Sequence, residues 1–413
     1  MSTPAAQYVS ECSLNAPRIR FAERDSHGFR RVLNARVDAY FALTGKSRLA
    51  GRAFYVQAAV LVAVMIGSYV ALLAIVFGGW GAFAIALLYG LAVLQLAMNV
   101  AHDGAHLAIT GYRRVDTTVQ RVLMAILGVD GYLWRMRHDG SHHVFPNVNG
   151  SDIDIDENPV LRLSPNHPWR PRHRYQHLYA PFAYMLTLWD SVLIGDLKYL
   201  LKKDLANMRG IVHPPREYAA FFLLKLFYLV VSIVLPLVFI RLPWWQILLG
   251  YAAVNALVSL VFVVLLAGTH FSTEASFPLA DAEGRLPTSW AAHALETALN
   301  WAPESRIAFY LTGGGNCHAA HHLFPRVSHS HYRALSRIIE DTAREHGLTF
   351  HRASFPGMIA SHFAHLRRLG RDGAPPRDAG VPRWFAHLFV RAWNAYPPTP
   401  RLFFALYRYF ACY

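Results

Sequence analysis

Four stretches of the chain lose nearly all their polar residues: 53–77, about 79–100, about 219–240 and about 246–268. Each reaches or passes the roughly 20 residues a helix needs to cross a bilayer, and none keeps the polar stripe of a soluble core helix. The pattern therefore predicts four transmembrane helices. They come as two tight hairpins whose turns, 78–80 and 241–245, carry Trp80, Trp244 and Trp245, residues that favour the membrane interface. Lys225, near the start of the third run, is expected to snorkel to the interface. A further stretch, 176–200, is apolar but broken by Pro, Asp and Lys, and reads as an interfacial helix. No internal repeat is visible.

Basic residues then orient the hairpins. Residues 1–52 carry nine Lys and Arg and the polar segment 101–218 is also rich in them, whereas the two hairpin turns carry only Arg241. The positive-inside bias puts the termini and the long middle segment in the cytoplasm. The expected layout is a cytosolic segment 1–52, a hairpin 53–100, a cytosolic segment 101–218, a second hairpin 219–268, a cytosolic segment 269–370 and a tail 371–413. The tail mixes aromatics with arginines, which suggests either a second membrane-surface element or an unstructured end.

Composition agrees. Of 413 residues, 54% are hydrophobic and only 16% charged, and mean hydropathy is +0.22; soluble domains carry about 25% charged residues. The net charge of +14 fits contact with anionic lipid headgroups. No zinc-finger, helix-turn-helix or RNA-binding signature accompanies it, so nucleic acid is not an expected partner. Cys12, Cys317 and Cys412 form no paired pattern, which suits a reducing compartment. The N-terminal residues lack an apolar core, so no cleavable signal peptide is expected.

Against this background stand 22 histidines. Three clusters read HDGAH (102–106), HDGSHH (138–143) and HAAHH (318–322), and the basic-residue count puts all three on one side of the membrane. On a helix, residues three and four apart share a face. His102 and His106, His138 and His142 with His143 beside them, and His318 with His321 and His322 can each point inward. These eight imidazoles are too many for one ion, since a catalytic zinc takes three protein ligands; two transition-metal ions use them naturally. Imidazole suits Zn, Cu, Fe and Ni alike, so spacing does not name the metal. His270, emerging from the fourth run, is a ninth candidate.

Ligating histidines need their other ring N–H held. Asp103, Asp139 and Glu274 are close enough in sequence to serve. Asn316 and the glycines 313–315 are expected to let the backbone pack tightly before the third cluster. His293 is a further candidate support. His329 and His331 read as loop residues, His167, His173, His177 and His213 as headgroup contacts, and 151–159 as a solvated or salt-bridged loop. The fold class is therefore an all-α integral membrane protein: four transmembrane helices in two hairpins, capped by a helical cytosolic domain holding a di-metal site.

The three clusters resemble the histidine boxes of the membrane fatty acid desaturase family. NVAHDGAH, HHVFPNVNGSDIDID, RHRYQHLYAP and HHLFPRVSHSHY extend the likeness to the bacterial linoleoyl-CoA-type branch, over roughly residues 20–355. His318 stands where that branch often has Gln, Gly104 where many relatives differ, and the tail beyond about 375 has no counterpart. The resemblance implies two iron ions held by the nine histidines, and O2-dependent removal of two hydrogens from an acyl chain lying in an apolar tunnel. It implies a fatty acyl substrate on CoA, carrier protein or lipid, with Arg135 and Arg137 as headgroup contacts. The His-Pro-Gly-Gly haem signature of fused electron carriers is absent, so a separate ferredoxin or haem protein with its reductase is the expected donor. Rival readings are a hydroxylase or acetylenase on the same scaffold, a histidine-rich metal carrier, and a zinc membrane hydrolase. A carrier would need polar ligands along a path through the spans, where Asn255 is the conspicuous polar residue.

Overall fold

The computed structural model describes residues 18–22, 25, 28–158 and 160–373. The tail reading beyond Gly373, together with Cys12 and Cys412, falls outside the described residues.

Helix α1 (Phe29–Thr44) leads into α2 (Arg52–Ala74) and α3 (Gly79–Ala105), the first two membrane-length helices. The polar middle segment contributes α4 (Arg113–Leu127), α5 (Gly131–Arg137), the single turn α6 (Ile153–Asp156), α7 (Gln176–Tyr184) and α8 (Thr187–Leu201). The second membrane pair is α9 (Pro215–Phe239) and α10 (Trp244–Thr269). Then come α11 (Trp290–Glu296), α12 (Arg306–Thr312), α13 (His318–Leu323), α14 (Tyr332–Glu345) and α15 (Phe355–Arg371). Strands are vestigial: β1 (Arg20–Phe21) pairs in parallel with β2 (Arg285–Leu286), and β3 (Leu299–Trp301) with β4 (His351–Ala353). They are too short to leave a trace in the hydrophobic pattern.

The spans show the surface that lipid requires. Val56, Val60, Ile66 and Val70 face outward on α2, each about half exposed, and Trp80, Trp244 and Trp245 are exposed at the two turns. Close packing holds α3 to α10. A side chain at Gly90 would meet Val254 and Val258 at 2.9 and 3.0 Å. All four spans present one end to the polar elements. The Ala50 amide donates to the Ala108 carbonyl at 3.2 Å, and His270, one residue past α10, meets His318. In that polar layer α14 reads as an amphipathic helix. Its Leu335, Ile339 and Ala343 bury against Leu33, Val37 and Phe41 of α1.

Two features depart from the sequence reading. The 176–200 stretch is not one helix; a 70° bend separates Pro171–Tyr184 from Thr187–Leu201. Just past that bend, the Leu188 amide donates to Ser259 Oγ at 3.1 Å, well inside α10. Lys225 does not snorkel either. Its ammonium donates to Asp196 Oδ2 at 2.8 Å and to the Gly128 carbonyl at 2.7 Å, while the Asp130 amide donates to the same Asp196 oxygen at 2.7 Å. Asp196 is fully buried, so pairing satisfies the lysine better than a long reach to water. Removing one partner of such a pair strands the other charge, at a cost of about 3–5 kcal/mol. Lys225→Met should therefore lower the melting temperature of the detergent-solubilised protein sharply, and Lys225→Met/Asp196→Asn should recover much of the loss. Equal melting of wild type and Lys225→Met would show the pair to be incidental.

Candidate metal centre

Each histidine box is held by contacts that leave its backbone little freedom. The first follows a π-turn, Ala97–Ala101, at the end of α3. Asn99 in that turn donates to the Tyr310 carbonyl at 3.2 Å and accepts from Gln57 at 2.9 Å. Gly104 lies under α4: a Cβ there would stand 2.8 Å from the Asp116 carbonyl oxygen. That contact accounts for glycine at this box position. The second box is itself a π-turn, His138–His142, at the end of α5, whose N-terminus is capped by Asp130. The third opens α13. Asn300 accepts from the Ala319 amide at 3.0 Å, and Asn316 donates to the Trp301 and Ala302 carbonyls at 3.2 and 3.1 Å. A side chain on Gly313 would lie 2.2 Å from the Met98 carbonyl oxygen, so the glycine run lets this loop press onto α3.

The boxes converge, but not one helix face at a time. His102, His106, His138 and His321 form one group, and His142, His270, His318 and His322 a second. Within each group, one ring nitrogen per residue lies within 4.8 Å of all the others. The second box is thus divided between groups, His138 to one and His142 to the other. The wider π-turn replaces the α-helical face assumed from spacing. The third box is divided too. His143 stands between the groups, its ring centroid 4.4 Å from that of His321 and 4.5 Å from that of His322.

Hydrogen bonds fix which nitrogen of three rings carries the proton. His270 Nδ1–H donates to the Thr297 carbonyl at 2.7 Å, and His318 Nδ1–H to the Gly315 carbonyl at 3.2 Å. His142 Nδ1–H donates to the buried Asp152 carboxylate at 3.2 Å, with Asp154 at 3.4 Å. Carbonyl and carboxylate oxygens only accept, so each of these rings, when neutral, turns an Nε2 lone pair inward. Yet His270 Nε2 lies 2.7 Å from His318 Nε2 and 2.9 Å from His322 Nε2. Lone pairs this close repel one another, and a shared cation converts the repulsion into ligation. In the other group, His106 Nδ1 faces Asp139 at 3.2 Å while its buried Nε2 has no partner. The donor set fits two cations that accept imidazole nitrogen, with no thiolate involved.

The electrostatics point the same way. Burial, reinforced by neighbouring rings, holds His106, His138, His143, His270, His321 and His322 well below the usual imidazole value, and His318 at about 3. These rings stay neutral near pH 7 and can ligate. His142 differs: burial works to lower it, but Asp152 and Asp154 carry it up to about 9. Binding a cation there displaces a proton.

Not every expected support meets a ligand. Asp103 turns to Ser328 and His329, accepting from Ser328 Oγ at 2.9 Å and the His329 amide at 3.1 Å, and lies 3.0 Å from His329 Nδ1. His329 is consequently buried, as is His331, which meets Tyr40 at 3.3 Å; neither is the loop residue its sequence suggested. Glu274 accepts from Ser361 and, among the described residues, has no hydrogen bond to a histidine. His293 is buried against Phe21. Arg135 pairs with Asp139 at 3.2 Å and Thr117 at 3.1 Å, and Arg137 lies 4.1 Å over the Tyr199 ring, so both expected headgroup contacts are engaged within the chain. Asp152 was the residue missed. The 151–159 run is partly salt-bridged, through Glu157 to Lys198 and Lys202, but Asp152 is fully buried beneath His142. The signal was its neighbours: Ile153 and Ile155, both 1% exposed, do not belong in a solvated loop. Cys317 is buried and its thiol pushed up to about 11 by burial, an inert packing residue.

Beneath this layer a cavity of about 140 Å³ lies between the spans, walled largely by apolar side chains of α3, α9 and α10 and by Leu188. It is not at the histidines. Leu127, Tyr228, Tyr251 and Trp134 pack in the intervening layer, and Trp134 stacks on His138 with centroids 4.3 Å apart.

Four apolar spans crowned by two converging histidine groups define an integral membrane protein with a centre able to hold metal. The chain belongs to the fatty acid desaturase family, whose family model matches residues 78–354. It is 28% identical over 352 residues to a sn-1 linoleoyl-lipid 6-desaturase of Arthrospira platensis, covering 83% of this chain and 93% of that protein. It is 29% identical over 366 residues to the protein of the same description from Synechocystis sp., covering 87% and 99%. To an acyl-lipid (8-3)-desaturase of Mortierella alpina it is 30% identical over 359 residues, covering 83% and 78%. The protein is thus an enzyme that desaturates fatty acids.

Loss of a carboxylate behind a ligating imidazole typically costs 10–100-fold in metal affinity. Asp152→Ala should weaken metal retention by that order in chelator competition, whereas Glu274→Ala should leave it unchanged; equal retention by both would refute the assignment of Asp152. A second expectation concerns acid. Seven rings whose values are lowered on folding stay neutral in the fold while their unfolded counterparts protonate below pH 6.5. Stability is therefore greatest above pH 6.5 and falls as pH drops from there toward the folded values. His142, raised to about 9, acts in the opposite sense but singly. The metal-free protein should melt at progressively lower temperature from pH 7 to pH 5; a flat or rising profile would contradict the neutral-imidazole centre.

Proposed function

We propose that this desaturase uses O2 and two electrons to introduce a double bond into a lipid-linked fatty acyl chain at two iron ions. The supporting observation is the convergence of eight imidazoles in two groups with a ninth, His143, between them, and with three Nε2 atoms directed inward by acceptors on Nδ1. His102, His106, His138 and His321 would hold one ion, and His142, His270, His318 and His322 the other. His143 lies within reach of both groups. The iron pair, when bound, supplies O2 activation and hydrogen abstraction from an unactivated C–C segment. Two hydrogens leave the acyl chain, and with two donor electrons and two protons O2 becomes two waters.

The remaining work falls to this chain's own residues. Thr297 and Gly315 orient His270 and His318 so that no proton competes for their inward nitrogens, while Asp152 orients His142, whose inward proton a bound cation would displace. Trp134, packed on His138, helps to keep water from the centre. The apolar cavity among the spans offers an acyl tail a place to leave water, with the layer of Leu127, Tyr228 and Tyr251 between it and the histidines. The lipid-linked substrate is favoured by the relatives described as acyl-lipid and linoleoyl-lipid desaturases. The basic residues of 1–52 and 101–218 favour a centre on the cytoplasmic face, served by a separate ferredoxin or haem protein and its reductase.

Expression in a host that lacks polyunsaturated lipids, with fatty acids profiled by lipid class, tests this reading. Wild type should yield a new unsaturated acyl chain in membrane lipids and His322→Ala none. A hydroxylated product, or the same profile from both, would refute it.

A further inference from the structure

The histidine centre leaves one basic feature unused. A surface groove of about 610 Å³ runs between α7 and the outer face of α15. One end is apolar, lined by Ala360, Phe363 and Ala364; the other is basic, lined by Arg367, Arg368 and Arg371, with His177 across from them on the α7 side. The three arginines are exposed, and no ion pair to any of them occurs among the described residues. Asp372 is the acidic residue at the rim, and its backbone carbonyl is taken by Arg162 at 2.8 Å. The chain beyond Gly373 contains a single acidic residue, Asp378, against five arginines, and so offers little counter-charge of its own. Of the four histidines expected at the headgroups, His167 pairs with Asp156 at 3.0 Å, and His173 and His213 are buried. His177 alone lines the groove, and its Nδ1 is buried without a partner.

The two ends lie at different depths. Helices α7 and α15 pack antiparallel: the Gln176 side chain donates to the Leu366 carbonyl at 2.9 Å, Tyr184 meets His362 at 2.5 Å, and Trp169 donates to the Gly370 carbonyl at 2.9 Å. Tyr184 and Phe363 pack with Leu260 of α10, so the apolar end points along the span. The basic end lies one to two turns further out. Tyr175, Leu178 and Phe182 form an exposed apolar stripe on the free face of α7, the helix that carries His177, which marks lipid rather than water or an acidic soluble protein as the neighbour of this helix.

We propose that this groove binds the phosphate of an anionic membrane glycerophospholipid, with Arg367, Arg371 and His177 around the phosphate and acyl chain against Phe363 and Ala364. Arginine suits a phosphodiester because its planar donors engage two oxygens at once. The site is separate from the histidine centre, and its occupation requires neither metal nor turnover.

The test is binding to purified protein in neutral detergent, read by native mass spectrometry and by the shift in melting temperature. The probes are dioctanoyl phosphatidylglycerol, dioctanoylglycerol and inorganic phosphate. Wild type should bind the phospholipid saturably and respond to neither of the other two. Arg367→Gln/Arg371→Gln should weaken phospholipid binding at least ten-fold. Ala364→Trp, which fills the groove and leaves its charges, should weaken it as well. Arg113→Gln/Arg114→Gln, a basic pair exposed elsewhere, should not. Unchanged binding by both groove variants, an equal loss in the distant pair, or an equal response to inorganic phosphate would overturn the proposal. So would groove variants that keep lipid binding but lose reduction by an acidic ferredoxin.

Discussion

Nitrogen lone pairs crowded into a dry interior govern this molecule. Imidazole rings brought together without water would separate if charged, because like charges in a low dielectric repel strongly. Burial keeps most of them neutral, and acceptors behind His270 and His318 turn their bare nitrogens inward, while Asp152 holds His142 in the same orientation. The arrangement is costly by itself and becomes favourable with a cation at its middle. Any cation held there would therefore link folding to metal loading.

The rest of the structure holds that crowd in place. The π-turn of the second box sends His138 and His142 to different groups, and the third box divides as well. Each group thus draws on three or more distant segments, and neither can form without most of the polar layer. Gly104 and Gly313 allow the close approaches on which this convergence relies. The Lys225–Asp196 pair fastens α9 to the elements carrying the second box. The spans below enclose an apolar cavity, separated from the histidines by the layer of Leu127, Tyr228 and Tyr251.

Much of this was legible in the chain. Four apolar runs gave the spans because a helix in lipid has no other way to satisfy its backbone. The box histidines and His270 were legible because imidazoles at helical spacing have few other uses at the edge of an apolar segment. What the spacing hid was division between two groups, since an α-helical face was assumed where the backbone makes a π-turn. Asp152 was hidden by its acidic neighbours, which read as a solvated run until Ile153 and Ile155 are seen to be buried. Asp103 and Glu274 were misread for the opposite reason. Nearness in sequence to a ligand says nothing about side-chain direction, and both carboxylates find hydroxyl or backbone donors closer to hand. Lys225 was read from its span alone, whereas its partner Asp196 lies on α8, a separate helix 29 residues away whose packing against α9 no local pattern announced.

The central claim is that the two histidine groups each grip a metal ion. Its most direct measurement is metal content per chain by inductively coupled plasma mass spectrometry, joined to iron-edge X-ray absorption on the purified membrane protein. The account predicts two iron atoms per chain in a nitrogen-rich shell with imidazole scattering and no sulfur. A single zinc, a sulfur-containing shell, or protein that is folded and active with no metal would contradict it.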